Sequence, residues 1–574
     1  MLLNLTLKPS YSAKLTTVCT VVSIVGGLII YGTGYMDTTG DLLISIIRTP
    51  FSVIGMFLGR NDLLQIDGAA IFDHDAGIVL FWILQLLAFY STASAVMITI
   101  GSRALRHLRS LLSRRGDLCL IYGLNDRSIS IGRECRAARM SVIFLTAAAD
   151  DTSIREINNM GMQVLAGQDA VNPTVSWVRK ALHPGKRKIS IYGLEENEDR
   201  NLRFALQLRD ALKTIGIRPE NTRISLPGVE DILTGLLQVS EEEYGYGHVY
   251  VYDRAMLAAR ALIRYCPPWD YMHFDRIGRA VEDFGCVIVG FGLHGQAVLK
   301  QLIMNGQYVG STFHAAVFSP DYQNEAGYLM ADSPGLPENY DIRFFAGDGR
   351  GTVFYDYLSE NLSKIRMIVV CTGSEEMNRE ISDNLMMYLH HRDEEQILVV
   401  RCGDYGIRYQ EEIGSPIISR SSITLEMLSA ENADRSAIIL NSTYDRSERT
   451  DWQKWVACDS FSKMSSRASA DFLPAFIRIS GSSREEILSG NWHPDEQMQD
   501  VLGQTEHLRW SAFHYTMGYR AMSKAELEER GERCRRSIDA GEPCSIRLTK
   551  DTSARRLACK RSPALWSRAD HRAR

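Results

Sequence analysis

Two long apolar segments near the amino terminus restrict this chain more than any other feature of its sequence. Residues 15–31 contain no charged side chain, and residues 77–101 form a longer stretch that is also uncharged. About 20 apolar residues in a helix cross the hydrocarbon core of a bilayer. We therefore predict two membrane-spanning helices. A signal peptide is the alternative for the first segment, although it lacks an A-x-A cleavage site and a second span follows.

The charges around these segments predict their orientation. Basic residues follow the second segment at Arg103, Arg106, Arg109, Arg114 and Arg115, and Lys8 and Lys14 precede the first segment. Acidic residues dominate the loop between them, at Asp37, Asp41, Asp62, Asp67, Asp73 and Asp75. Positive charge stays on the cytoplasmic side of a membrane. The pattern predicts a multi-pass protein of a cell inner membrane with both termini in the cytoplasm.

The segment between the spans, residues 42–58, is apolar but carries Arg48 and Pro50 near its middle. A central arginine costs roughly 2.5–3.5 kcal/mol on insertion scales, and proline removes a helical hydrogen bond. We predict a re-entrant pore helix and a filter-like turn rather than a third span. The pore residues would be Ser52, Val53, Ile54 and Gly55. An interfacial amphipathic helix is the alternative, and the sequence has no TVGYG motif to define ion selectivity.

A strand–glycine loop–helix pattern stands at residues 286–306. An apolar strand ends at Gly290, and Gly292 and Gly295 complete GxGxxG spacing before an apolar-faced helix. In a dinucleotide site the first glycine makes the tight turn, the second admits phosphate, and the third lets helix pack on strand. The pattern predicts a nucleotide-binding Rossmann domain. Alternatively, the glycines serve strand–helix packing alone.

A degenerate copy of this pattern lies upstream, at residues 118–135. Its three positions are Gly123, Asn125 and Ser128, so one glycine is kept. Asparagine tolerates left-handed backbone and serine is small, so the turn can form. We expect this copy to bind pyrophosphate weakly or to serve packing alone.

Both copies continue as apolar strands alternating with helical stretches, which predicts parallel sheets. Neither has an acid at the end of its second strand, where ribose would be bound. Thr146 and Ser319 stand there, with Asp321 close to the second. We expect NAD or another adenine nucleotide as the ligand.

Further details carry a family resemblance. Gly347-Asp348 closes the third strand of the second copy, and Gly167 and Asp169 stand in the first with one insertion. A run with Thr372, Ser374, Glu376 and Asn378 follows the fourth strand. These features resemble the TrkA-N/RCK domains that regulate potassium conductance, and residues 1–440 together resemble RCK potassium channels. The resemblance implies one nucleotide or ion site at Gly290, Gly292, Gly295 and Asp348, and a weaker one at Gly123, Asn125 and Asp169.

The chain becomes helical after residue 441 and carries a second resemblance. Glu506, His507, Arg509, Trp510, Phe513, Gly518 and Tyr519 stand in the spacing of a ryanodine-receptor (RyR) repeat domain, and residues 466–471 resemble its preceding helix, with Ser466 replacing asparagine. Glu506, Arg509 and Trp510 fall within about one helical turn, so a carboxylate, a guanidinium and an aromatic face can converge on a ligand. The resemblance implies a nucleotide-like ligand at Arg467, Glu506, His507, Arg509, Trp510 and Tyr519. An internal ion pair and a core tryptophan are the alternative.

Charge and cysteine content narrow the function further. A net charge of −5 gives no reason to expect nucleic-acid binding. The cysteines form no CxxC pair, and no histidine cluster has ligand spacing, so we expect reduced thiols and no metal site. Residues 531–574 are basic and depart from the RyR pattern, which indicates a disordered or altered tail near anionic lipid.

The predicted fold is two transmembrane helices with a re-entrant segment, then an α/β region of two tandem Rossmann-like doubly wound parallel sheets, then a small α-helical domain. The regions are the pore module and linker helix (1–116), the degenerate Rossmann domain (117–280), the second Rossmann domain (281–440), the RyR-like domain (441–530) and the tail (531–574). The fold alone does not define a function.

Two spans per chain cannot enclose a pore, so we expect a homo-oligomer, most simply a homotetramer, in contact with lipid. The sequence as a whole predicts a nucleotide-gated channel for potassium or another cation, with no catalytic residues. One alternative is a membrane-tethered nucleotide-binding regulator of a separate transporter. The other is an NAD-dependent oxidoreductase, which would need a general acid or base beside the nicotinamide.

Overall fold

The structure is a computed structural model that describes residues 9–112, 116–184, 187–240, 243–394, 396–404, 406–489 and 492–520. Side chains are described within these ranges except at 9–14, 95–112, 430 and 488. The predicted basic tail, 531–574, and the arginine side chains after the second span lie outside the described residues. The chain divides into two compact units, Met1–Arg115 and Gly116–Arg574.

The first unit is helical. Its helices are α1 (Pro9–Thr39), α2 (Leu42–Phe57) and α3 (Asp75–Leu112). Among the described residues, two stretches are long and apolar enough to cross a membrane: Leu15–Thr39 of α1 and Asp75–Ser94 of α3, with mean hydropathy 1.9 and 1.8. The two predicted apolar helices are therefore present. Helix α3 continues unbroken to Leu112, as expected for the linker helix.

The segment between the two long helices corrects one prediction. Ser52, Val53, Ile54 and Gly55 lie inside α2, which continues past Pro50 to Phe57, so they form no filter-like turn. Proline costs about 3 kcal/mol in a helix interior, but packing offsets this cost. Ser45, Thr49, Ser52 and Met56 recur at helical spacing and are all buried.

The first unit exposes many large apolar side chains and buries several polar ones around its apolar core. Val18 of α1, Phe51 of α2 and Leu86 of α3 are each more than half exposed, whereas Ser23 and Gln85 are buried. The Ser23 hydroxyl donates to the Leu84 carbonyl at 3.3 Å, and the Gln85 side-chain amide donates to the Arg60 carbonyl at 3.0 Å. Apolar side chains outside and paired polar groups inside are the arrangement that a bilayer favours.

The second unit begins with a parallel doubly wound sheet in the order β3-β2-β1-β4-β5-β6. Its strands are β1 (Leu118–Tyr122), β2 (Ser141–Thr146), β3 (Gln163–Ala166), β4 (Ile189–Gly193), β5 (Thr222–Pro227) and β6 (His248–Tyr252). Its helices are α4 (Asp126–Ala137), α5 (Asp151–Asn159), α6 (Glu198–Ile215) and α7 (Glu230–Leu237), followed by α8 (Arg254–Tyr265). The strand order is that of a Rossmann fold, as predicted.

The second sheet repeats this plan and adds an antiparallel edge. Its order is β13-β12-β11-β10-β7-β8-β9. The strands are β7 (Phe284–Val289), β8 (Phe313–Phe318), β9 (Asp341–Phe345), β10 (Ile365–Val370), β11 (Leu398–Gly403), β12 (Gly406–Tyr409) and β13 (Ile418–Arg420), the last two antiparallel. The helices are α9 (Leu293–Asn305), α10 (Tyr322–Asp332), α11 (Thr352–Asn361) and α12 (Glu375–His390). The second predicted Rossmann fold is confirmed.

A helical region follows. It contains α13 (Arg435–Ser442), α14 (Asp451–Ala457), α15 (Ser460–Ser480) and α16 (Glu496–Thr516). Shorter α-helical segments in the unit are Gln168–Val171, Val175–Trp177, Gly335–Asn339, Ala430–Ala433 and Arg484–Leu488. Phe472 of α15 and Ala512 of α16 are buried in the same cluster as Ile288 of β7 and Leu302 of α9. The helical region and the second Rossmann domain thus share one core.

Candidate functional site

The glycine loop of the second Rossmann domain has a separate task for each glycine. Gly290 has φ +94°, and an added Cβ would lie 2.6 Å from the Cys371 carbonyl oxygen. At Gly295 an added Cβ would lie 2.2 Å from the Gly290 carbonyl oxygen. At Gly292 the nearest atom would be Glu325 Oε1, at 3.9 Å. The first and third glycines therefore permit close packing, while the second faces open space, as a bound phosphate requires.

We expect Gly290→Ala to lower the melting temperature far more than Gly216→Ala does. Both positions have positive φ, which costs a non-glycine residue about 1–2 kcal/mol. At Gly216 an added Cβ meets nothing within 4 Å, whereas at Gly290 it also meets backbone, which adds about 1–3 kcal/mol. Thermal unfolding of the two variants by circular dichroism measures the difference, and equal melting temperatures would contradict the packing assigned to Gly290.

The amino-terminal end of α9 is open. Its N-cap is Gly292, and no side chain among the described residues caps it. Leu293, the first helical residue, is 79% exposed. Uncapped amides at a helix amino terminus bind anions, because the N–H groups and the helix dipole both favour negative charge. This end of α9 can accept a phosphate.

Glu325 lies in the crevice beside Gly292 and the amino-terminal end of α9, where the sequence pattern did not predict it. It accepts a hydrogen bond from the Ser319 hydroxyl at 2.5 Å, and Ser319 directly follows β8, where an acid usually binds ribose. Glu325 lies on α10, so the spacing of the fingerprint does not reveal it. The next helix thus places a carboxylate beside the end of β8 and near Gly292.

The other two predicted residues of the crevice have partners of their own. Asp321 Oδ1 accepts a hydrogen bond from the Asn324 amide at 2.6 Å. Asp348 accepts from Arg350 Nη2 at 2.7 Å, and this hydrogen bond is the main cause of a lowered pKa of the Asp348 carboxyl. Asp348 is therefore ionised at neutral pH and fixed in place next to the end of β9.

The first Rossmann domain has the same turn, but side chains cap the amino-terminal end of its helix α4. Asn125 Oδ1 accepts from the Ser128 N–H at 2.9 Å, and the Asn125 N–H donates to Ser128 Oγ at 2.9 Å. The Asn125 side-chain amide also donates to the Leu194 carbonyl at 2.8 Å. Asp169 is exposed, in the short helix after Gly167. A capping box thus occupies the place where a phosphate would bind.

A buried asparagine holds the loop after the fourth strand in both domains. Asn378 Oδ1 accepts from the Thr372 N–H at 2.8 Å and from its hydroxyl at 2.7 Å. Asn201 Oδ1 accepts from the Glu195 N–H at 3.1 Å, and its amide donates to the Glu195 carbonyl at 2.8 Å. Asn378 belongs to the family-like run, and Asn201 is its counterpart, which the sequence analysis missed. Both support the adjacent glycine loops.

Asp404, in the turn between β11 and β12, links the two glycine loops. Its Oδ1 lies 3.4 Å from His294 Nε2 and 3.8 Å from Arg127 Nη1. His294 and Arg127 each stand four residues after the first loop position of their domain, Gly290 and Gly123. The contact with His294 is the main cause of a lowered pKa of Asp404, and Arg127 contributes. The two crevices therefore share an ionised carboxylate.

In the helical region the structure brings three of the six predicted ligand residues together. Glu506, Arg509 and Trp510 of α16 line one side of a cavity of about 820 Å³. His507 stacks beside Trp510, with ring centroids 6.1 Å apart, and the Tyr519 ring packs against Phe461 at 5.5 Å. Neither His507 nor Tyr519 lines the cavity wall.

Arg467 lies elsewhere, in a buried ion-pair network. It binds Glu230 of the first Rossmann domain at 2.7 Å and Asp434 at 2.7 Å. Asp434 also binds Arg260 at 3.1 Å, and Arg260 binds Asp471 at 2.7 Å. Arg467 therefore joins α15 to the first Rossmann domain, and it does not line the cavity with Arg509.

In the first unit a polar cluster connects α1, α2 and the segment that follows α2. Ser52 Oγ donates to Asp62 Oδ2 at 2.6 Å and lies 2.9 Å from the Tyr35 hydroxyl. The Tyr35 hydroxyl also donates to Gln65 Oε1 at 3.2 Å. Ser52 is thus a helix-anchoring residue in this unit. Val53 is buried, Ile54 is exposed, and Gly55 is half-buried.

Comparison with known proteins gives likenesses among solved structures alone. No family model matches the chain, and no curated protein matches it. The crystal structure of GsuK bound to ADP is 14% identical, with a TM-score of 0.31, covering 68% of this chain and 89% of that one. The GsuK channel is 15% identical, with a TM-score of 0.32, covering 68% and 90%. The GsuK channel bound to NAD is 12% identical, with a TM-score of 0.31, covering 67% and 76%.

Proposed function

We propose that this chain is one subunit of a ligand-gated channel for potassium or another cation, opened or closed by an adenine nucleotide such as NAD at the second Rossmann domain. The observation that carries the proposal is the open helix end at Gly292, with Glu325 beside it for a ribose hydroxyl. The corresponding helix end in the first Rossmann domain is capped by the side chain of Asn125. A duplicated nucleotide fold with one open crevice fits a sensor better than an enzyme.

The first unit supports the membrane part of the proposal. Many of its large apolar side chains are exposed, the Thr20 hydroxyl donates to the Ser91 hydroxyl, and the Gln85 side-chain amide donates to the Arg60 carbonyl. We propose that the two long helices span a cell inner membrane with both termini in the cytoplasm. Since two helices per chain cannot surround a pore, four chains assemble around an axis.

Helix α2 is the proposed pore helix. Its polar side, formed by Ser45, Thr49 and Ser52, is buried, and its apolar side, with Ile46 and Phe51, is exposed to lipid or to a neighbouring chain. We propose that α2 dips into the membrane and that the turn after Phe57 faces the pore. Gly59 in this turn has φ +78°, as a tight return of the chain requires.

Gating would follow from a shift between two arrangements of the cytosolic domains. A ligand that prefers one arrangement by about 5.5 kcal/mol moves a gate from 1:99 to 99:1. Four chains share this free energy, so a modest difference in affinity at each site is sufficient. Helix α3 ends at Leu112 and β1 begins at Leu118, so a short connection transmits movement of the first Rossmann domain to the second span. The helical region serves as a second nucleotide-like sensor in this scheme.

A membrane-tethered nucleotide-binding regulator of a separate transporter is the second candidate. One observation favours it: residues 52–55 are helical and supply no filter-like turn. Such a regulator would keep the nucleotide crevice and lack ion conduction of its own.

Ion flux from liposomes distinguishes the two. Purified full-length protein is reconstituted in potassium-loaded vesicles, and efflux is recorded with and without NAD, ADP and ATP. A channel gives nucleotide-dependent efflux, by release or by block, that empty vesicles do not show. Silent vesicles, together with nucleotide binding measured on the same preparation, would contradict the channel and leave the tethered regulator.

A further inference from the structure

We propose that the cavity beside Arg509 binds a phosphorylated nucleoside, with the phosphate at the guanidinium and the base against the aromatic wall. This inference deepens the proposed sensing role of the helical region and rests on it. It concerns the chemistry of one pocket, so it can be tested by binding alone, without ion conduction.

The unpaired nitrogen of Arg509 is the first observation. The side chain is 1% exposed, and its Nε and Nη2 donate to the two carboxylate oxygens of Glu506, both at 2.7 Å. Nη1 is buried and has no hydrogen-bond partner among the described residues. An unsatisfied buried donor of a charged group is costly, and native structures rarely keep one without a purpose. An oxygen of a ligand in the cavity would satisfy it.

The size of the cavity fits a ligand of this class. It has a volume of about 820 Å³, is open to solvent on one side, and is lined by the end of α13, the loop after it, α14, α15 and α16. Pockets that bury small organic ligands usually span about 300–1,000 Å³. The space exceeds that needed for inorganic phosphate and accommodates a nucleotide.

The charge balance of the lining favours an anion. Glu506 is neutralised by Arg509, and Arg449 and Lys454 add two positive charges against the single carboxylate of Asp445. The Lys454 ammonium is fixed by the carbonyls of Asp445 and Ser442, at 2.8 and 3.4 Å. A fixed ammonium and a bidentate-held guanidinium on the two sides suit phosphate oxygens.

The rest of the wall suits a base and a sugar. Trp510 and Phe461 line the cavity, and the His514 ring packs against Trp510 with centroids 3.8 Å apart, which holds the indole in place. Fixed aromatic faces stack bases. Ser465 and Ser469 of α15 also line the cavity, and we infer that their hydroxyl groups bind a ribose.

Calorimetric titration of the full-length protein in detergent tests this proposal, with AMP, ADP and inorganic phosphate as probes and adenosine as the uncharged comparison. The background is Gly292→Asn, which closes the helix end at the other crevice. We expect AMP or ADP to bind at least tenfold more tightly than adenosine. Arg509→Gln should weaken that binding at least tenfold and Lys454→Met several-fold. Gln504→Ala, on the same helix and outside the cavity, should leave it unchanged.

Two results would overturn the inference. One is that neither Arg509→Gln nor Lys454→Met weakens the binding of AMP, ADP or inorganic phosphate. The other is that adenosine binds as tightly as AMP and ADP. Since Arg509→Gln leaves Glu506 without its partner and can unfold the region, Lys454→Met, a half-buried position at the wall, decides the case if Arg509→Gln is unfolded. Tight binding of AMP with silent vesicles would uphold the pocket and contradict the channel.

Discussion

Asp434→Ala is expected to lower the free energy of unfolding by about 3–5 kcal/mol, because it leaves two buried arginines without their shared carboxylate. The Asp434 side chain is fully buried and binds Arg260 at 3.1 Å and Arg467 at 2.7 Å. Those arginines lie on α8 and α15, so the carboxylate joins the second unit's Rossmann and helical parts. We expect the melting temperature of the full-length protein, followed by circular dichroism, to fall accordingly.

The same carboxylate predicts a pH dependence. Burial by itself would raise the pKa of Asp434, but Arg467 and Arg260 outweigh burial and hold the pKa below its ordinary value. A carboxyl with a lowered folded-state pKa stabilises the fold above its unfolded pKa, near 3.9, and loses that effect as the pH falls through the folded value. The gap in melting temperature between wild type and Asp434→Ala should therefore be constant at neutral pH and shrink below about pH 4.

Glu426→Gln is the matched control. Glu426 pairs with Arg264 of the same helix α8 at 3.6 Å, but both side chains are about half exposed. Exposed pairs contribute about 0–1 kcal/mol. If Asp434→Ala unfolds at the same temperature as Glu426→Gln, the buried network does not hold the parts together as described.

The Rossmann folds could be predicted from the sequence because the residues that indicate them lie close together in the chain. The glycine loop stands directly between a strand and a helix in the sequence. Gly290, Gly292 and Gly295 each have their expected place in the structure. The two apolar helices were predictable for the same reason, since uninterrupted hydropathy needs no tertiary partner.

The remaining features depend on residues far apart in the chain. Arg467 matched a family pattern, yet its partner Glu230 stands 237 residues away and places it in the ion-pair network. Glu325 enters the crevice from a helix that the fingerprint does not include. In α2, the helical burial of Ser45, Thr49 and Ser52 outweighs Pro50, a balance that local propensity does not reveal. Tertiary packing therefore decided each of these positions.

Gly292→Asn is expected to weaken nucleotide binding at the second Rossmann domain without loss of stability. Position 292 corresponds to Asn125, whose side chain caps α4 by accepting from the Ser128 N–H. An added Cβ at Gly292 has room, with its nearest neighbour at 3.9 Å, and φ there is −63°, which any residue adopts. The new carboxamide can accept from the Gly295 N–H and take the place of the phosphate.

The expected loss in affinity is at least tenfold, or about 1.4 kcal/mol. The melting temperature should stay level or rise slightly, because asparagine is a better N-cap than glycine by a few tenths of a kcal/mol. Titration calorimetry with NAD and ADP measures the affinity in a Lys454→Met background, which weakens the contribution of the cavity in the helical region and keeps the buried Arg509–Glu506 pair. Efflux from vesicles should lose its response to nucleotide in the same variant.

Gly292→Ala is the matched control, since it adds the Cβ without the capping group. We expect it to bind nucleotide more tightly than Gly292→Asn, because the amides at the end of α9 stay unpaired. The reverse change, Asn125→Gly, removes the carboxamide from α4 and should expose the first crevice to phosphate. If Gly292→Asn binds NAD and ADP as well as wild type does, the ligand does not use the end of α9. The open helix end would then serve strand–helix packing, and the nucleotide control of the channel would have to act through the helical region.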